Sequence, residues 1–175
     1  MKKIFALALS LMLILGATAV LADEAAEKAE LGATETFAIR SIIPEGYTYS
    51  EVTSSGLNLV GLLAGGEGKP TITISIGYNE EYTGVERFND LDEATVQEIK
   101  DSFQDMDEVV FEELETAYGT KLLKVTQANK SFADIYTVYK GYELEFVMTA
   151  QGEVQDADVE MLVKFISDMD FVPAE

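Results

Sequence analysis

Carboxylates are the one abundant chemical group in this chain: 32 of its 175 residues are Asp or Glu, 12 are Lys or Arg, and none is His, Cys or Trp. Without histidine the usual proton carrier at neutral pH is missing, along with the commonest metal ligand. Without cysteine there is no thiolate nucleophile. A serine would need a lysine as its base. The pair Lys130-Ser131 has no strained turn or oxyanion signature around it and reads as a polar turn. Zinc and copper are poorly served, since only carboxylate and carbonyl oxygens remain as ligands.

Two groups of carboxylates have a spacing that brings them together. On a helix expected over Asp90 to Met106, the residues Glu98, Asp101 and Asp105 fall within about 60° of one another, opposite the apolar stripe. Such a like-charge row costs a few tenths of a kcal/mol per pair, roughly, unless a cation screens it, which motivates a calcium site. The EF-hand pattern fails here, because Val110 stands where the loop following Asp105 and Asp107 needs a glycine. A solvated acidic helix face is the preferred reading of this row.

The second group is on a strand. If Lys140-Gly141 is a two-residue turn, then Ile135, Thr137 and Tyr139 share a core face with Tyr142, Leu144, Phe146 and Met148. Tyr136, Glu143 and Glu145 then share the opposite face. Carboxylates two residues apart on a strand have Cα atoms about 6.5–7 Å apart, near the spacing of glycosidase acid/base pairs. Alternating Glu is also what any solvent-facing strand shows. The eight tyrosines add contact area with polar tips and offer a binding platform.

The elements that must position these groups follow from periodicity. Strands are expected over 36–42, 47–53, 57–64 and 71–78; in the last of these Ile72, Ile74, Ile76 and Tyr78 alternate with Thr71, Thr73, Ser75 and Gly77. Apolar residues then recur every three or four places at Val96, Ile99, Phe103 and Met106, with Asp90 and Glu93 spaced as a capping box. Two hairpins come next, one around Tyr118-Gly119-Thr120 and one around Lys140-Gly141. Val159, Leu162, Val163 and Ile166 mark a last amphipathic helix, with Asp156 and Asp158 at its positive end. Strands grouped in hairpins predict an α+β domain, its mainly antiparallel sheet flanked by two amphipathic helices in β4-α-β4-α order.

The chain opens with Met1-Lys2-Lys3, an apolar stretch from Ile4 to Leu15, and small residues up to Val20-Leu21-Ala22 before Asp23. These three parts read as a secretory signal peptide over residues 1–22, cut between Ala22 and Asp23, with Ala17 and Ala19 offering a second cut. The apolar run falls short of the roughly 20 residues of a spanning helix. Lipidation at the cut would need a cysteine. Residues 23–34, rich in Ala and Glu, read as an acidic flexible tether, and 35–175 as one globular domain. After cleavage ten basic residues face 32 acidic ones, a net charge of −22. That field repels nucleic acid and anionic lipid, and it attracts cations.

Phe37-Ala38-Ile39, Ile43-Pro44-Glu45-Gly46-Tyr47, the mid-chain helix after a short loop, the Tyr118-Gly119-Thr120 hairpin and Tyr139-Lys140-Gly141-Tyr142-Glu143-Leu144 before a last helix resemble the PsbP-like α/β/α sandwich. The resemblance covers most of residues 35–173. It implies an exported, non-enzymatic accessory or binding protein. The metal-binding and partner-docking residues of the photosynthetic members have no counterpart here, and none is carried over. The sequence thus leads to a secreted or periplasmic, monomeric or weakly associating, non-catalytic binding or accessory module. It is expected to need no cofactor and to meet a protein or a small ligand. A calcium-responsive acidic protein and a carboxylate-based hydrolase are the two alternatives.

Overall fold

A computed structural model describes residues 27–103, 106 and 108–174; the expected signal peptide and cut site lie outside the described residues. Ten strands form in chain order: β1 (Ala29–Ala33), β2 (Phe37–Ser41), β3 (Tyr47–Ser55), β4 (Asn58–Gly65), β5 (Thr71–Tyr78), β6 (Val109–Glu115), β7 (Lys121–Gln127), β8 (Phe132–Tyr139), β9 (Tyr142–Thr149) and β10 (Asp170–Pro173). Helix α1 (Glu93–Asp101) lies between β5 and β6, and α2 (Asp156–Ser167) between β9 and β10. Single 3-10 turns at Glu80–Tyr82 and Phe88–Asp90 precede α1.

Seven strands make one sheet in the order β3-β4-β5-β9-β8-β7-β6, and three make a second in the order β1-β2-β10. Every pairing is antiparallel. The alternation of β5 fixes its facing: Ile72, Ile74 and Ile76 are fully buried on one side and stand opposite Met148, Phe146 and Leu144 of β9. The β8–β9 register is set by the turn at Lys140 and Gly141, whose φ angles of 49° and 79° are those of the two-residue hairpin that fits the right-handed twist of its strands.

On this core face the large sheet packs against α2 and the small sheet together. Leu162, Phe165 and Ile166 of α2 join Leu31, Phe37 and Ile39 of the small sheet in one cluster with the β5 and β9 residues. The ring of Phe165 meets that of Phe146 edge-on at 6.4 Å, and Phe37 meets Tyr142 and Phe171 at 5.7 and 5.9 Å. Burial of these side chains is the main stabilising term, at roughly 1.5–3 kcal/mol for each large apolar group.

The opposite face is covered only in part. Ile99 of α1, with Tyr82 and Phe88 from the two 3-10 turns, packs on Leu123, Val125, Tyr136 and Val138 of β7 and β8. Strand β8 is therefore buried on both sides along most of its length. Among the described residues no comparable cluster lies on this face over β3, β4 and β5, where Val60 and Leu62 are half-buried.

The architecture corrects the expected one. The chain is mostly β, in two antiparallel sheets with two α-helices among the described residues. One large-sheet face is covered by a second sheet together with a helix, and the other by one short helix and two turns. This is not a single sheet flanked by helices in an α/β/α sandwich, the fold implied by the PsbP-like resemblance.

A second correction concerns the tether. Residues 29–33 are a strand, antiparallel to β2 with a bulge between Glu30 and Gly32, and Leu31 is fully buried. The hydroxyl of Tyr49 on β3 donates to the carbonyl of Leu31, so the edge of the large sheet holds the small one. Helix α1 is also shorter than the expected 90–106. Its N-cap is Asp92, which accepts from Thr95 N–H at 2.8 Å, while Asp90 caps the preceding 3-10 turn through Arg87 N–H. No helix among the described residues is long and apolar enough to cross a membrane.

Candidate functional site

Where α1 stops short of covering the second face, a cleft of about 680 Å³ opens between the helix, the 80–82 turn and the sheet. Its floor is built by the β8–β9 register, which places Tyr136 opposite Glu145 and Val138 opposite Glu143. On the β5 side Glu145 faces Ser75 and Glu143 faces Gly77. One wall carries Asn79, Glu81 and Tyr82 from the turn, and the other carries Thr95, Glu98 and Ser102 from α1 and its C-cap, with Ile99 and Phe103. Four carboxylates thus face the cleft, from three separate elements.

A hydrogen-bonded chain orders the floor. The Tyr136 hydroxyl donates to Glu143 Oε1 at 2.8 Å and lies 3.2 Å from the Tyr82 hydroxyl. Asn79 Nδ2 donates to the same Oε1 at 3.0 Å. One oxygen of Glu143 therefore takes both bonds, and its orientation is set from two elements. Burial, then the bond to Tyr82 and the nearby Glu143 charge, push the Tyr136 hydroxyl far above the ordinary tyrosine range, so it acts as a donor and not as a phenolate. Burial also raises Tyr82.

Beneath Glu145 lies a fifth carboxyl. Asp134 projects from β8 on the same face as Tyr136, is 1% exposed, and has its Oδ1 buried with no hydrogen-bond partner. Burial, and next the charge and hydrogen bond of Glu145, push Asp134 up from 3.8 to about 8. At neutral pH Asp134 therefore keeps its proton, because a second charge beside Glu145 in so buried a place is disfavoured.

The expected site residues divide. Tyr136, Glu143 and Glu145 lie together on the cleft floor, and Glu98 faces them from α1. Asp101 is outside this cleft and accepts from Gln97 Nε2 at 2.7 Å. Asp105 lies outside the described residues, as does the Ala22–Asp23 cut. Among the described residues no group of three or more Asp or Glu is placed to hold a metal ion. Lys130 and Ser131 sit in the β7–β8 turn, where Ser131 Oγ donates to Asn129 Oδ1 at 3.0 Å. The tyrosines form no common platform: Tyr118 is largely exposed, whereas Tyr47, Tyr82, Tyr136 and Tyr142 are buried in different clusters.

Sequence reasoning missed Asp134 and Asn79, and reached Tyr82 only as one of the eight tyrosines. For Asp134 a signal was present. The run Ala133-Asp134-Ile135-Tyr136-Thr137-Val138 is nearly apolar throughout, the mark of a strand covered on both faces, and an acid inside such a run must be buried. Compared with family models, with curated proteins and with solved structures, the chain matches none.

Proposed function

We propose that this chain is an exported, non-catalytic binding module that takes a small polar ligand in the cleft between α1 and the large sheet. The observation that carries the reading is the cleft itself. Its volume of about 680 Å³ is in the range of small-molecule sites, and it has a few fixed polar groups on a rigid floor. Glu143 is oriented in advance by Asn79 and Tyr136, so little ordering is needed when a ligand arrives. Export is supported by the signal-like segment at residues 1–22. The test is a thermal-shift and NMR screen of the purified protein against small polar compounds, followed by Tyr136→Phe and Glu143→Gln. A hit that loses at least tenfold in affinity in these variants supports the reading; hits indifferent to both contradict it.

A carboxylate-based hydrolase is the second reading, and one observation favours it. The Asp134–Glu145 pair keeps a proton while Glu143, two residues away on β9, is an acceptor of two hydrogen bonds, an unequal pair of environments of the kind that separates acid from base. Hydrolysis of an activated aryl glycoside or ester, abolished by both Glu143→Gln and Glu145→Gln, would establish it. The absence of turnover across such a panel leaves binding as the function.

A further inference from the structure

We propose that the cleft is a receptor for an organic cation with several N–H donors, its charged head seated between Glu143 and Glu145 above the buried Asp134. This deepens the binding reading given above and rests on it. Three features of the site point to that chemistry. First, the ionisable groups that line it are all acids or phenols: Glu143 and Glu145 from β9, Tyr136 from β8, Glu81 and Tyr82 from the 80–82 turn, and Glu98 from α1, with Asp134 of β8 buried next to Glu145. No lysine or arginine among the described residues lines it, so a cationic ligand meets no competing positive group. Second, Oε1 of Glu143 is committed to Asn79 and Tyr136, which leaves Oε2 as an acceptor on the ligand side. Third, Asp134 is 1% exposed with an unpartnered Oδ1 and lies against Glu145. Two carboxyls this close repel when both are ionised, and a cation seated at Glu145 offsets that repulsion.

The shape favours an organic head over a metal ion. Calcium takes six to eight oxygens at about 2.3–2.6 Å, whereas here the carboxylates are spread around a cleft of about 680 Å³. A guanidinium or ammonium reaches separated acceptors through N–H bonds, and a guanidinium presents them as a planar fork that matches carboxylates.

Occupancy changes the protonation of the floor. Empty, the Asp134–Glu145 pair keeps a proton; with a cation at Glu145, the doubly ionised pair is favoured and the proton leaves to water. Binding therefore strengthens as pH rises through the range in which the empty pair would hold that proton, and it levels off above about 8. An acidified compartment would release the ligand.

The experiment is calorimetric and NMR titration of the purified protein with methylguanidinium, which stays charged at every pH used. Its neutral isostere N-methylurea and calcium chloride at matched ionic strength are the controls. Methylguanidinium should bind about tenfold or more tightly at pH 8.5 than at pH 6, shift the amides of Asn79, Tyr136 and Glu145, and release close to one proton at pH 7, read from two buffers of different ionisation enthalpy. Asp134→Asn, which keeps the shape, should remove both the proton release and the pH slope, and Glu145→Gln should lower affinity at least tenfold. Equal binding of N-methylurea in the cleft overturns the cation proposal and leaves the binding module standing. Equal or stronger binding of calcium there overturns it in favour of a metal. A wild-type pH slope in Asp134→Asn overturns the proposed seat, and no cleft shift with any probe removes the proposal; a panel of neutral ligands that also fails removes the binding reading with it.

Discussion

The two faces of the seven-stranded sheet are built from the same strands to different ends. On the face toward α2 and the small sheet, Ile72, Ile74, Ile76, Leu144, Phe146 and Met148 are sealed under Leu162, Phe165 and Leu31, with apolar contacts only at their centre. On the face toward α1, the same strands present Ser75, Glu143, Glu145 and Asp134, and the short helix leaves a cleft above them. One face minimises free energy. The other keeps a buried carboxyl beside a second one, and an orphaned oxygen, both costly, at a place where several acidic elements meet. Such departures from local rules tend to gather at functional sites.

Breaking the dry face should have the largest effect. Phe165→Ala removes a ring buried to 1% exposure against Phe146 and should cost about 4 kcal/mol, equally at pH 5 and pH 9, measured by urea unfolding. A strong pH dependence of that loss would show that the two faces are coupled. Leu31→Ala should cost about 3 kcal/mol, because Leu31 is 1% exposed inside the common core. A change near zero would mean that the small sheet adds little to stability.

The cleft face should respond with the opposite sign. An acid whose folded pKa is raised contributes stability below its unfolded value and loses that contribution as pH climbs to the folded value. For Asp134 the window runs from 3.8 to about 8. Asp134→Asn should therefore be slightly stabilising at pH 5 and more so at pH 9, by about 3 kcal/mol, since each pKa unit corresponds to about 1.4 kcal/mol and relaxation reduces the full shift. A difference between variant and wild type that stays constant from pH 5 to pH 9 contradicts the buried pair. Smaller again is Tyr136→Phe, which removes the hydroxyl shared by Tyr82 and Glu143 and should cost about 1 kcal/mol. Its larger effect should appear in ligand affinity.

Much of this arrangement could be read from the sequence, and the parts that could not have physical reasons. The β8–β9 hairpin was legible because Lys140-Gly141 is a turn of defined backbone and its flanking residues alternate cleanly. The side of the sheet to which Tyr136, Glu143 and Glu145 point followed from that alone. Strand β1 was hidden, because Glu30-Leu31-Gly32 offers a single apolar residue beside a bulge, and its stability comes from β2, β3 and the core, not from its own pattern. The small sheet was invisible for a similar reason: β10 has four residues and joins β2 across nearly the whole chain. Asp134 was read past because alternation on β8 assumed one wet face, and it is α1 with the two 3-10 turns that makes that face dry. Periodicity reports which side of a strand faces a core; it does not report what a distant helix leaves uncovered.

The most direct test of the account is amide chemical-shift mapping of the purified protein with methylguanidinium at pH 8. The account predicts saturable shifts confined to the cleft, at Ser75, Asn79, Tyr82, Glu98, Tyr136, Glu143 and Glu145, with residues such as Glu160 and Lys164 of α2 unmoved. Non-saturating shifts spread over the acidic surface would mean that the chain's excess of carboxylates attracts cations without a site. Saturable shifts centred on the apolar groove between Tyr118 and Val163 would place ligand binding on the other side of the molecule. Either result would contradict the claim that the cleft under α1 is where this protein does its work.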